Sequence, residues 1–153
     1  MRKPSVRSSL LFLILWTSDF CYGQGPSPVT WHFEAAPARG HETILFITAD
    51  VAPGWHLYSQ SIKEGGPIAT QFRFDPNDNY VLTGATEEKG KAARFYDDIY
   101  EMEITWYAGI VTFAQRIILN KRGANIKGTV EYMTCNSEVC IPAAREFDIE
   151  VKP

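Results

Sequence analysis

Apolar and polar residues alternate with a period of two through so much of this chain that a helical fold has little room. In VTWHFEA, Val29, Trp31 and Phe33 interleave with Thr30, His32 and Glu34; in YEMEITWY, Tyr100, Met102, Ile104 and Trp106 interleave with Glu101, Glu103 and Thr105. Successive side chains of a strand point to opposite faces, so both segments read as half-buried strands. ETILFITADV (42–51) and AGIVTFAQRIIL (108–119) are more continuously apolar and β-branched, as expected of central strands covered on both faces, and FDIEV (147–151) alternates again. Between them lie the turn-forming stretches APARGH, APGW, EGGP, DPNDN and KRGAN, and no 12-residue window offers an amphipathic helix. The expected architecture is all-β: an immunoglobulin-like antiparallel β-sandwich of about 130 residues, with a β-barrel as the competitor.

The first residues do not belong to that pattern. Arg2, Lys3 and Arg7 precede an apolar run from Leu10 to Trp16, followed by polar and small residues. This is the signature of a secretory signal peptide, expected over 1–23 with cleavage after Gly23, and it leaves 24–153 as one domain. The run is far shorter than the roughly 20 residues that span a bilayer, so no membrane insertion of the mature chain is expected. Ser18-Asp19-Phe20 is the wrong approach to a lipid-anchored Cys21. Cleavage removes three of 15 basic residues and one of 18 acidic ones, changing the net charge from −3 to 12 − 17 = −5. That balance argues against nucleic acid and anionic membrane surfaces as partners. The mature protein is expected in the periplasm, as a monomer.

Cleavage also leaves two cysteines, Cys135 and Cys140, and an even count in an exported chain favours a disulfide. GTVEYMT and AREFDIEV flank the pair as strands, which puts it at a hairpin tip. A bridge closing a loop of about six residues stabilises by only about 2 kcal/mol in the chain-entropy account, a weak reason for a staple. Exposed local disulfides tend to be the reducible ones. An inert clip on a non-catalytic binding module and a working redox pair both remain open on spacing alone. Two cysteines without a nearby histidine supply half a tetrahedral shell, so no metal is expected, and no motif calls for a cofactor. His32, His41 and His56 are remote in sequence, which disfavours hydrolytic cysteine chemistry.

MTCNSEVCIP (133–142) resembles the active-site hairpin of the N-terminal periplasmic domain of the thiol-disulfide interchange protein DsbD. GWHLYSQSIKEGGPIATQFRF (54–74) is similar to that family's early strand and turn, and ARFYDDIYEMEI (93–104) to its cap loop and following strand. The resemblance runs from about Val29 to Val151. It implies an immunoglobulin-like fold and thiol-disulfide oxidoreductase activity: a domain that takes electrons from a membrane-embedded thiol reductase through thioredoxin-like periplasmic proteins and passes them on to periplasmic disulfides. Cys135 and Cys140 would be the redox pair, Phe95 the cap residue shielding it, with Tyr96 beside it, and Tyr58 and His56 would line the site. Departures from the family pattern are the four-residue loop between the cysteines, Ala143 after Pro142, and Ala93 and Arg94 in place of acidic cap residues. They bear on cap geometry and partner choice. The chain ends at Pro153 without the membrane and thioredoxin-like domains of longer members, so a stand-alone relay is expected to depend on partner proteins for its electrons.

Overall fold

The computed structural model describes residues 27–152; the expected signal peptide, its cleavage site and Cys21 lie outside them. Among the described residues eight strands follow one another without a helix: β1 (Val29–Ala35), β2 (Glu42–Val51), β3 (His56–Tyr58), β4 (Gln71–Phe74), β5 (Tyr80–Asp97), β6 (Met102–Leu119), β7 (Ala124–Cys135) and β8 (Cys140–Val151). Every pairing is antiparallel. The alternation read in the sequence is borne out in β1, where Val29, Trp31 and Phe33 are at least partly buried and Thr30, His32 and Glu34 are exposed; β2, expected to be covered on both faces, alternates as well, with Thr43, Leu45, Ile47, Ala49 and Val51 buried and the residues between them less so.

Two long hairpins, β5–β6 and β7–β8, form the frame. The short β3 joins them by pairing with β6 through Leu57 and Tyr58 and with β7 through His56 and Leu57. β2 and β3 lie in succession along one edge of β6: Val51 pairs with Gly109, and Leu57 with Tyr107. Gly109, at a φ of 71°, sits where β6 passes from one neighbour to the next, and the β5 register shifts between Gly90 and Ala92 beside it. A side chain there would meet the steric penalty of the left-handed region. The expected separate strands at 100–107 and 108–119 are therefore one strand from Met102 to Leu119, because Gly109 lets the ladder bend without breaking.

The sheet curls until β1 faces β7 and β8. Trp31 meets Tyr132 at 5.2 Å between ring centroids, and Phe33 meets Phe147 at 5.4 Å. Between the two layers lies the main core, with Leu45, Ile47, Leu57, Val111, Phe113, Ile126 and Val130 all fully buried. The result is the expected immunoglobulin-like antiparallel sandwich. Among the described residues no helix is long and apolar enough to cross a membrane.

Candidate functional site

Cys135 ends β7 and Cys140 begins β8, directly opposite each other with Cα atoms 4.1 Å apart and a disulfide between them. The turn joining them is held by its own first residue. Asn136 N donates to Val139 O at 3.0 Å, and Asn136 Oδ1 accepts from the backbone N–H groups of Glu138 and Val139, both at 2.8 Å. An asparagine that bonds the backbone two and three residues ahead replaces the missing ladder partners of a tight turn. The two sulfur-bearing residues differ sharply in surroundings: Cys135 is 1% exposed, whereas Cys140, on a strand paired only with β7, is exposed.

Cys135 is buried in a second, smaller cluster on the face of the sheet opposite the main core. Directly opposed residues of an antiparallel pair share a face, as do residues two apart on one strand. His56 is opposite Cys135, Tyr58 follows His56 by two and is opposite Trp106, and Ile104 is opposite Phe95. Tyr58 and Ile104 are buried beside Cys135, with Ile62, Met102, Trp106 and Met133 packed against them. The imidazole of His56 lies 4.6 Å from the Trp106 ring and 5.2 Å from Tyr58, between centroids. Phe95 meets Trp106 edge-on at 6.4 Å and is itself 40% exposed.

Four of the expected site residues, Cys135, Cys140, Tyr58 and His56, thus converge, and Phe95 joins them through Trp106. Two expectations need correction. The segment expected as a cap loop is the end of β5 and a tight turn, with Phe95 and Tyr96 paired to Ile104 and Glu103. Tyr96 therefore points to the face opposite Phe95 and, 63% exposed, does not line the cluster. Trp106 was missed as a site residue. Its signal was present: in TWY, Trp106 and Tyr107 are adjacent aromatics, which on a strand must cover opposite faces, so both faces there are buried.

The electrostatics of the two faces differ. Burial pushes the His56 pKa below its usual value, and no charged neighbour adds to that. Burial raises that of Tyr58, helped by Tyr100 and Asp97 from the β5–β6 tip, which brings that tip close to the site. On the opposite face Tyr107 is pushed up to about 12, chiefly by burial and then by Glu88, with Arg94 acting the other way. Glu88 Oε2 accepts from Tyr107 Oη at 2.9 Å and Ser59 Oγ at 2.8 Å, and its Oε1 accepts from Gln60 N at 2.7 Å. This carboxylate fastens the residues just after Tyr58 to β5. At the tip, Asp97 Oδ1 accepts from Ile99 N and Tyr100 N, at 2.8 and 3.1 Å.

Among the described residues no group of three or more His, Cys, Asp or Glu side chains is placed to hold a metal ion. A groove of about 470 Å³ lined by Arg39, Thr43, Ile44, Arg116 and Ile118 lies at the far end of β6 and β2, away from the disulfide. The disulfide lies instead at the hairpin tip, with Cys140 exposed and Cys135 buried.

Residues 26–151 match the protein family described as "Thiol:disulfide interchange protein DsbD, N-terminal". Among solved structures, the DsbD N-terminal domain of Neisseria meningitidis in its reduced form is similar with a TM-score of 0.56 and 17% identity, over 82% of this chain and 87% of that one. The N-terminal periplasmic domain of ScsB from Proteus mirabilis is similar with a TM-score of 0.53 and 18% identity, over 78% of this chain and 44% of that one. The chain thus spans less than half of that ScsB domain's length. At these identities the two structures bear on the fold alone. Comparison with the curated proteins finds no match.

Proposed function

The chain belongs to the family of DsbD N-terminal domains, and we propose that it is an exported relay domain in which the Cys135–Cys140 pair carries electrons between proteins. The donor is a membrane-embedded thiol reductase or a thioredoxin-like protein; the acceptors are periplasmic proteins with reducible disulfides. The observation that carries this reading is the asymmetry of the disulfide: one sulfur-bearing residue exposed, the other buried beneath an aromatic cluster.

Thiol exchange needs in-line access to one sulfur and a leaving group on the other. A donor thiolate attacks Cys140 Sγ, a bond forms between them, and the Cys135–Cys140 bond breaks with its electron pair going to Cys135 Sγ. The donor's second thiolate then attacks its own sulfur in the mixed disulfide and releases Cys140. Donor dithiol and oxidised domain become donor disulfide and reduced domain. Delivery to an acceptor is the reverse, with Cys140 as the attacking thiolate and Cys135 resolving the mixed disulfide. Phe95 at the rim makes access conditional on docking, because a partner must displace it to align three sulfur atoms.

The test is the equilibrium reduction potential of the pair, titrated against a glutathione or dithiothreitol couple. A value between about −180 and −270 mV, the range of thiol oxidoreductases, is expected. A value below about −300 mV marks a structural clip and overturns the relay in favour of a binding module. Cys135→Ala should trap a mixed disulfide with a thioredoxin-like protein through Cys140, and Cys140→Ala should not.

A further inference from the structure

The reaction leaves a problem that the disulfide alone does not solve. When the sulfur–sulfur bond breaks, negative charge arrives on Cys135, a residue 1% exposed and packed among Tyr58, Ile104, Trp106 and Met133. A thiolate in an apolar, water-poor setting is costly, so a proton must arrive as the electron pair does.

We propose that His56 is the proton carrier for Cys135, delivering a proton to its sulfur when the disulfide is reduced and removing it when the disulfide forms again. The inference rests on the relay reading above. The geometry places the two side by side. His56 and Cys135 are a directly opposed pair on β3 and β7, sharing a face with Cys140 on β8, and such neighbours have Cβ atoms about 4.5–5.5 Å apart. Thr134 Oγ1 donates to the His56 carbonyl at 2.8 Å from the opposite face, which fixes the pairing, while the ring is held by Trp106 and Tyr58. Being half-buried, His56 has the cluster on one side and solvent on the other.

Other groups around it are poorly suited. On its own strand there is Tyr58, whose hydroxyl is held protonated by burial and by Tyr100 and Asp97. β6 presents Trp106 and Ile104 on this face, β7 presents Met133, and β5 presents Phe95, with Lys91 exposed two strands away. Glu138 lies in the exposed turn between the cysteines, and Arg94 acts on Tyr107 across the sheet. Burial favours the neutral form of His56 in the oxidised protein. The new thiolate favours its protonated form, so a proton taken from solvent at the ring's exposed side passes to Cys135 Sγ as the bond breaks. Two electrons enter the pair, the Cys135 proton comes through His56, and Cys140, being exposed, exchanges its own with water.

The experiment follows the rate of reduction of oxidised wild-type protein and of His56→Phe and His56→Gln by dithiothreitol between pH 5 and 8, divided at each pH by the dithiothreitol thiolate fraction. The corrected wild-type rate should rise as pH falls through the histidine range; both variants should be flat and at least ~tenfold slower at the acid end. Identical corrected profiles in wild type and a folded variant overturn the proposal while leaving the relay intact. A reduction potential in the range of structural disulfides overturns the relay itself. If neither variant folds, the wild-type profile decides: a corrected rate that does not rise as pH falls through the histidine range overturns the proposal.

Discussion

A single carboxylate does more to set the site than its place in the sequence suggests. Glu88 lies in TEEKGK, a polar run with no periodicity, yet it accepts from Ser59 Oγ, Gln60 N and Tyr107 Oη. Ser59 Oγ can turn to Ser61 Oγ at 2.8 Å, but Tyr107 is buried, so removing the acceptor leaves its hydroxyl unmet at about 1–3 kcal/mol. Glu88→Ala should therefore destabilise the fold by about 2 kcal/mol in urea titration. Its neighbour Glu87, more than half exposed and 4.0 Å from Lys89, should lose less than about 0.5 kcal/mol on the same change. Equal effects would mean that the three bonds to Glu88 add nothing beyond a surface ion pair. Tyr107 supplies a pH readout of the same network. Its pKa of about 12 lies above the ordinary tyrosine value of 10, so the folded state binds the proton more tightly. The stability that this contributes is intact below about pH 10 and falls as pH rises from there toward 12.

At the scale of elements, β7 is pinned by one residue without a side chain. A Cβ on Gly128 would stand 2.2 Å from the Arg73 backbone oxygen and 2.6 Å from the Phe147 ring, between β4 and β8. Backbone cannot yield as a flexible side chain does, so Gly128→Ala should cost about 3 kcal/mol and strip protection from β4 amides first, read by hydrogen exchange. Unchanged β4 protection would show that β4 does not depend on this close approach. The same scale explains what was legible in the sequence. β1 was read to the residue because it has one more buried and one exposed face, β2 was bounded by its apolar run although one of its faces is less covered than that run suggested, and the cysteine hairpin was read because two alternating strands flank its turn. β5, from Tyr80 to Asp97, was not read as a strand. It pairs only with β6, most of its residues are exposed, and shifts between Thr83 and Glu87 and between Gly90 and Ala92 break whatever alternation remains. An edge ladder held by backbone bonds leaves little trace in hydropathy. The site was half legible for a related reason: the cysteines announce themselves, whereas Trp106 joins them only because β3 lies between β6 and β7, a pairing distant in sequence.

Across the whole molecule, the main core and the cluster around the disulfide occupy opposite faces of one sheet. The main core fills the space between the layers and is centred on residues such as Phe113, which contacts the rings of Trp31 and Phe72 at 6.0 and 4.9 Å. The disulfide belongs to the small outer cluster and closes a loop with a sequence separation of five. The proposed relay would have to remain folded whether oxidised or reduced, which requires that the disulfide contribute little to stability. Phe113→Ala removes a fully buried aromatic from the main core and should cost about 3–5 kcal/mol. Reducing the disulfide, or replacing both cysteines with alanine, relaxes only a short loop in the unfolded chain and should cost no more than about 2 kcal/mol. Guanidinium unfolding of oxidised wild type, reduced wild type, the double alanine variant and Phe113→Ala puts the four on one scale. The expected order is oxidised, then reduced close to the double variant, then Phe113→Ala well below. By the same cycle, the gap between oxidised and reduced protein measures how far the fold pulls the pair toward the disulfide state. A gap approaching that of Phe113→Ala would mean that the disulfide holds the sandwich together, a role incompatible with being made and broken in every turnover.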